Sequence, residues 1–136
     1  DLSDPKIPDE NKMLMKETEE ITKNNSDLNL VFAFNYGSHN EIHSAVMDLH
    51  NSNLEKVLTL KEITDSLYSY FQYPEIPFPD LLVRTAGEER ISNFLLYQLA
   101  YTELIFIDTL WPDVNQDILD NVLLEFKSRN RTYGKN

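Results

Sequence analysis

The sequence predicts an α/β fold, a parallel sheet with helices on both faces. Three observations lead there. Apolar runs of strand length stand at 28–34 ("LNLVFAF"), 80–83 ("DLLV") and 104–107 ("LIFI"). Segments with helical spacing of apolar residues separate and follow them, and polar loops close each apolar run. Continuous apolar runs alternating with helices are the mark of strands buried on both faces in parallel order. About three strands make a narrow sheet with edges to cover, so the pattern reads as part of a larger sheet.

The elements follow in order. Residues 1–8 are an irregular lead-in with Pro5 and Pro8, and Asp9 can cap a helix running to about Lys23, with Leu14 and Ile21 facing inward. The first strand, 28–34, ends at "NYGS". A helix over about 40–51 carries Ile42, Val46 and Leu49 on one face. "TLKE" at 59–62 has the form of a capping box for a helix reaching about Phe71. Three prolines in "YPEIPFP" then break regular structure. The second strand covers about 80–84, a helix about 92–101, the third strand about 103–107, and a last helix about 115–129.

Length and composition fit one domain with a real core: 136 residues, 41% apolar and 11% aromatic. Twelve basic residues against 23 acidic ones leave a net charge of −11, which argues against a nucleic-acid partner. An anionic ligand must then meet a local cluster of positive charge. The absence of cysteine removes disulfides, thiolate chemistry and Cys-bound zinc, and suits a reducing, cytoplasmic compartment. The first residues do not read as a signal peptide, and Gln98, Glu103 and Asp108 interrupt the most apolar stretch, 94–111.

Arginine is confined to four positions, 84, 90, 129 and 131; all other cations before them are lysines. Two polar loops fall beyond strand ends, where α/β sheets gather ligands: "NYGSHNE" and "RTAGEERIS". In the second, Arg84 leaves the strand, Gly87 permits a turn, and Arg90 and Ser92 open the next predicted helix. Guanidinium forks match phosphate oxygens bidentately, and a helix N-terminus would add N–H donors, so the loop reads as a diphosphate site. The competing reading of the same spacing is surface pairing of Arg84 and Arg90 with Glu88 and Glu89. His39 and His43 lack the H-E-x-x-H order of a zinc helix, since position 40 is asparagine, and read as a solvated face. Ser92 lacks a nucleophile elbow. Phe94, Tyr97, Tyr101, Phe106 and Trp111 form an aromatic stripe expected in the core, with a subunit interface as the other reading.

The stretch "PDLLVRTAGEERISNFLLYQLAYTELIFIDTLWPD" resembles the signature of the cis-prenyltransferases, the undecaprenyl diphosphate synthase family. "LNLVFAFNYGSHNEI" is similar to the family's N-Y-G-G-R-x-E-I segment, and "RNRTYG" to its arginine-rich tail. The resemblance spans the chain, as residues 1–136 of one catalytic domain. Departures are Ser38 and His39 for glycine and arginine, Ala86 for serine or glycine, Tyr97 for tryptophan, and Thr132 and Lys135 in the tail. The family's aspartate- and glycine-rich loop for the allylic diphosphate has no counterpart here, so the resemblance is to the C-terminal half, with an N-terminal half expected from elsewhere.

By that resemblance, Arg84, Arg90, Ile91 and Ser92 hold isopentenyl diphosphate. Glu103 serves Mg²⁺, a cation that takes one or two carboxylates plus phosphate oxygens. Glu88 and Asn35 are implied in the catalytic loops. The implied reaction is condensation of isopentenyl diphosphate with an allylic diphosphate such as farnesyl diphosphate, giving a Z-polyprenyl diphosphate like the undecaprenyl cell-wall lipid carrier. The resemblance further implies a homodimer, with the tail near the partner's site, and a product that partitions to the membrane and draws the chain to its periphery. The alternatives are a non-catalytic subunit that binds and stabilises a catalytic chain, or a shortened chain needing its missing half.

Overall fold

The computed structural model describes residues 7–52, 57–71 and 75–130. They fall into two compact units, 1–36 and 37–136. In the first, α1 is Asp9–Thr22, with Asp9 and Glu10 in the first turn, where acidic side chains favour the helix dipole. Pro8, not Asp9, occupies the N-cap position, and no side chain caps the helix. Leu14 and Ile21, expected to face inward, are 63% and 72% exposed. Among the described residues of its unit, α1 is the one regular element.

The expected strand at 28–34 is not formed. A strand exists through ladder hydrogen bonds to a neighbour, and the one sheet among the described residues contains two strands elsewhere. Here Phe34 N–H instead turns back on the Phe32 carbonyl at 2.9 Å, and Leu28 and Phe32 are 77% and 80% exposed.

The second unit carries the parallel sheet. β1 (Leu81–Arg84) pairs with β2 (Glu103–Phe106) in the register Leu81 to Glu103 and Arg84 to Phe106. The parallel pairing matches the expectation for these two runs. Two helices precede it. α2 is Ser38–Ser52, which buries Ala45 and Leu49. α3 is Leu60–Tyr70, with the capping box formed as the sequence indicates: Glu62 N–H donates to Thr59 Oγ1 at 3.3 Å, and Thr59 N–H to Glu62 Oε2 at 2.9 Å. α4 is Gln116–Ser128, where Asn115 Oδ1 accepts from Ile118 N–H at 3.1 Å. It buries Val122, and Ile105 is the buried residue of β2.

The segment 92–101, expected as a helix, is a chain of turns. Ser92, Asn93 and Leu95 have φ of 47°, 64° and 46°, and residues in the left-handed region cannot propagate a right-handed helix. The N–H of Leu96 is taken by Ser38 Oγ at 2.9 Å rather than by a preceding turn. The aromatic stripe divides accordingly. Tyr97 packs at a tilt against Phe71, ring centres 4.9 Å apart, and lies edge-on to Phe78 at 5.9 Å. Tyr101 and Trp111, 70% and 74% exposed, are outside the core.

Candidate diphosphate site

At the carboxyl end of β1 the backbone ladder runs on past the strand. Ile107 N–H donates to the Arg84 carbonyl at 2.9 Å, Gly87 N–H to Ile107 O at 3.0 Å, and Ala86 N–H to Thr109 O at 2.9 Å. The turn needs left-handed backbone at Ala86 (φ 68°) and Gly87 (φ 65°). A Cβ on Gly87 would lie 3.2 Å from Asp108 Oδ1, so both conformation and space favour glycine there.

This turn sends residues 88–92 back over the strand end. Arg84 Nη1 donates to Ser92 Oγ at 3.0 Å and to the Arg90 carbonyl. Arg84, Ser92 and Ile91 line an open recess of about 270 Å³ with Leu82, Val83 and Phe94. Its lining thus combines two polar residues, Arg84 and Ser92, with four apolar ones. Arg90 contributes its backbone carbonyl, while its guanidinium pairs with Glu88. Of the surface pairs that the spacing allows, Arg90 makes one with Glu88, while Arg84 turns to Ser92. The helix N-terminus expected to add donors is absent, because the turns at 92–95 replace it.

Glu103 is outside this cluster. It opens β2 opposite Leu81, three positions from the level of Arg84, or about 10 Å along a strand at ~3.3 Å per residue. Arg129, the C-cap of α4, holds it: Nη1 donates to Glu103 Oε2 at 2.9 Å and to Leu104 O at 3.0 Å, and Nη2 to Glu125 Oε1 at 2.5 Å. Hydrogen bonding to Glu103 first, then to Glu125, raises the pKa of the Arg129 guanidinium above its ordinary value. A carboxylate is a suitable hard ligand for Mg²⁺, but Glu103, so placed and so paired, does not fit a cation bound to a diphosphate at Arg84 of the same chain. No group of three or more metal-ligating side chains occurs among the described residues. His39 and His43 lie on the exposed side of α2. Asn35, at φ 50°, belongs to the first unit. Arg131 lies outside the described residues.

The profile of the family described as "Putative undecaprenyl diphosphate synthase" matches residues 3–134. The chain belongs to this family. Over 129 residues it is 40% identical to the Micrococcus luteus ditrans,polycis-undecaprenyl-diphosphate synthase, described as (2E,6E)-farnesyl-diphosphate specific; the match covers 94% of this chain and 52% of that protein. Among solved structures, a probable undecaprenyl diphosphate synthase from Campylobacter jejuni superposes with a TM-score of 0.82 at 30% identity, over 99% of this chain and 60% of that one. Lavandulyl diphosphate synthase from Lavandula x intermedia, in complex with dimethylallyl diphosphate, gives a TM-score of 0.88 at 27% identity, over 98% and 58%. The chain therefore spans about half the length of the M. luteus relative. The α/β family fold agrees with the parallel pair seen here. Among the described residues no helix is long and apolar enough to cross a membrane.

The sequence did not single out Asn93, which holds the loop through bonds to the start of α2. Its one legible signal was an asparagine in "SNF", a residue type that tolerates left-handed backbone.

Proposed function

We propose that this chain supplies the isopentenyl diphosphate site of a cis-prenyltransferase, which condenses that substrate with an allylic diphosphate to a Z-polyprenyl diphosphate. The observation that carries the reading is the Arg84 guanidinium held by Ser92, both lining a mostly apolar recess, in a chain of this family. The diphosphate would meet Arg84 and Ser92, with Ile91 against the hydrocarbon end. Arg90 would exchange Glu88 for phosphate oxygens, which its planar fork can meet bidentately. Glu88 in this reading holds Arg90 until ligand arrives, and Asn35 keeps the catalytic-loop role that the family resemblance implies. Mg²⁺ would travel with the diphosphate, and Glu103 could serve it only after release from Arg129.

Condensation needs two diphosphates with reacting carbons within about 3–3.5 Å of a productive geometry. Among its described residues the second unit offers one candidate arginine-built anion site, and Arg129 is engaged by its own carboxylates. We infer that prenyl transfer requires the rest of the family fold, as the same polypeptide or a companion. Homodimer formation and delivery of a lipid product to the membrane belong to the same proposal. The test is incorporation of labelled isopentenyl diphosphate into butanol-extractable product with farnesyl diphosphate and Mg²⁺. The 136-residue chain should bind isopentenyl diphosphate but form no product. Turnover by the purified chain alone would overturn the division of sites, and failure to bind would overturn the function.

A further inference from the structure

The residue that follows Ser92, whose hydroxyl holds Arg84, is itself held from a distant part of the chain. Ser38 N–H donates to the Asn93 carbonyl at 2.8 Å. His39 N–H donates to Asn93 Oδ1 at 3.0 Å across 54 positions of sequence. In return, the fully buried Ser38 accepts from Leu96 N–H through its Oγ at 2.9 Å. The first N–H groups of a helix lack intrahelical partners, and here Asn93 provides acceptors for two of them from another loop. These bonds enclose residues 93–96, and Ser92 is the next residue out.

Glycine at 37 makes the approach possible, since a Cβ there would stand 2.9 Å from Asn93 Nδ2. That amide cannot turn aside without breaking its bond to His39. The left-handed backbone at Ser92, Asn93 and Leu95 is what lets the loop fold onto the helix start.

We propose that Asn93, clasped to Gly37, Ser38 and His39 at the start of α2, is a positioning residue for the diphosphate site, acting through Ser92 on Arg84. The inference rests on the proposed function only for the identity of the ligand. It also assigns a purpose to Ser38, one of the two residues at which the loop departs from the family pattern: its hydroxyl ties the clasp to Leu96.

The test uses the full chain and inorganic pyrophosphate as probe. Asn93→Gly keeps the left-handed backbone accessible and the main-chain carbonyl, and removes only the side-chain acceptor. It should weaken pyrophosphate binding by about fivefold or more, the scale of one lost hydrogen bond. In a Ser92→Ala background the same change should add less than about twofold, because residues acting in series are not additive. Gly37→Ala, which presses on Asn93 from the other side, should reproduce the weakening if Asn93→Gly folds poorly. The ligand-free readout is the ¹⁵N signal of the Arg84 guanidinium, which Asn93→Gly should move in the same direction as Ser92→Ala. Unchanged binding and an unmoved Arg84 signal in Asn93→Gly would overturn the clasp, as would losses that multiply fully with Ser92→Ala. If the parent chain fails to bind pyrophosphate yet the Arg84 signal moves, the clasp stands and the proposed function falls.

Discussion

Replacing Arg84 by lysine keeps the charge and removes the fork. In the folded chain one nitrogen of Arg84 already serves two acceptors, the Ser92 hydroxyl at 3.0 Å and the Arg90 carbonyl. The guanidinium is thereby fixed in plane, with its remaining donors presented in set geometry. A lysine ammonium places all its donors at one point. It either replaces the bonds to the loop or meets the anion, and one charge-assisted hydrogen bond is lost in either case. Such bonds contribute about 1.5–3 kcal/mol. Arg84 is partly open to solvent, so the lower end applies, about a tenfold rise in Kd. Calorimetric titration with isopentenyl diphosphate reads this directly. Since the net charge is unchanged, the slope of affinity against salt should match the parent. Binding of Arg84→Lys within about twofold of the parent would refute the reasoning, because charge alone would then suffice.

Gly87→Ala should destabilise the chain by about 1–2 kcal/mol in urea unfolding, from left-handed backbone at φ 65°, with the 3.2 Å approach to Asp108 adding to it; an unchanged midpoint would contradict the turn geometry. Arg129→Met should lower the unfolding midpoint, since it frees α4 from Glu103 and Leu104. The pKa of Arg129 is raised by folding, so its stabilisation is complete below the ordinary arginine value and is lost only above the raised one. The deficit of Arg129→Met should therefore be the same at about pH 7 and about pH 10, and its disappearance at the higher pH would argue against the ion pair.

The parts of the fold legible in the sequence were those fixed by neighbours along the chain. Thr59 and Glu62 form the capping box that their spacing specifies, and Asn115 caps α4 at its expected start. The two apolar runs around Arg84 and Ile105 pair in parallel, as alternation with helices suggested. What failed depended on distant partners. Residues 28–34 have strand chemistry, but no ladder partner stands beside them among the described residues. Residues 92–101 have helical apolar spacing, yet Ser38, far away in sequence, takes both the Leu96 N–H and the Asn93 carbonyl that a helix would use. The candidate site was legible in the same uneven way. Arg84 and Ser92 meet because turn residues bring them together within eight positions. Glu103 stood close in the family motif, but parallel register places it at the opposite end of the strand pair.

The central claim is that Arg84 and Arg90 together receive a diphosphate while Arg129 belongs to the chain's own scaffold. With four arginines in 136 residues, the side-chain Nε–H signals of a ¹⁵N-arginine-labelled chain can each be assigned by single Arg→Lys variants. Titration with isopentenyl diphosphate should move the Arg84 and Arg90 signals together along one saturating curve and leave Arg129 in place. A saturable shift at Arg129 with Arg84 and Arg90 unmoved would contradict the account, and so would no shift at any of the three.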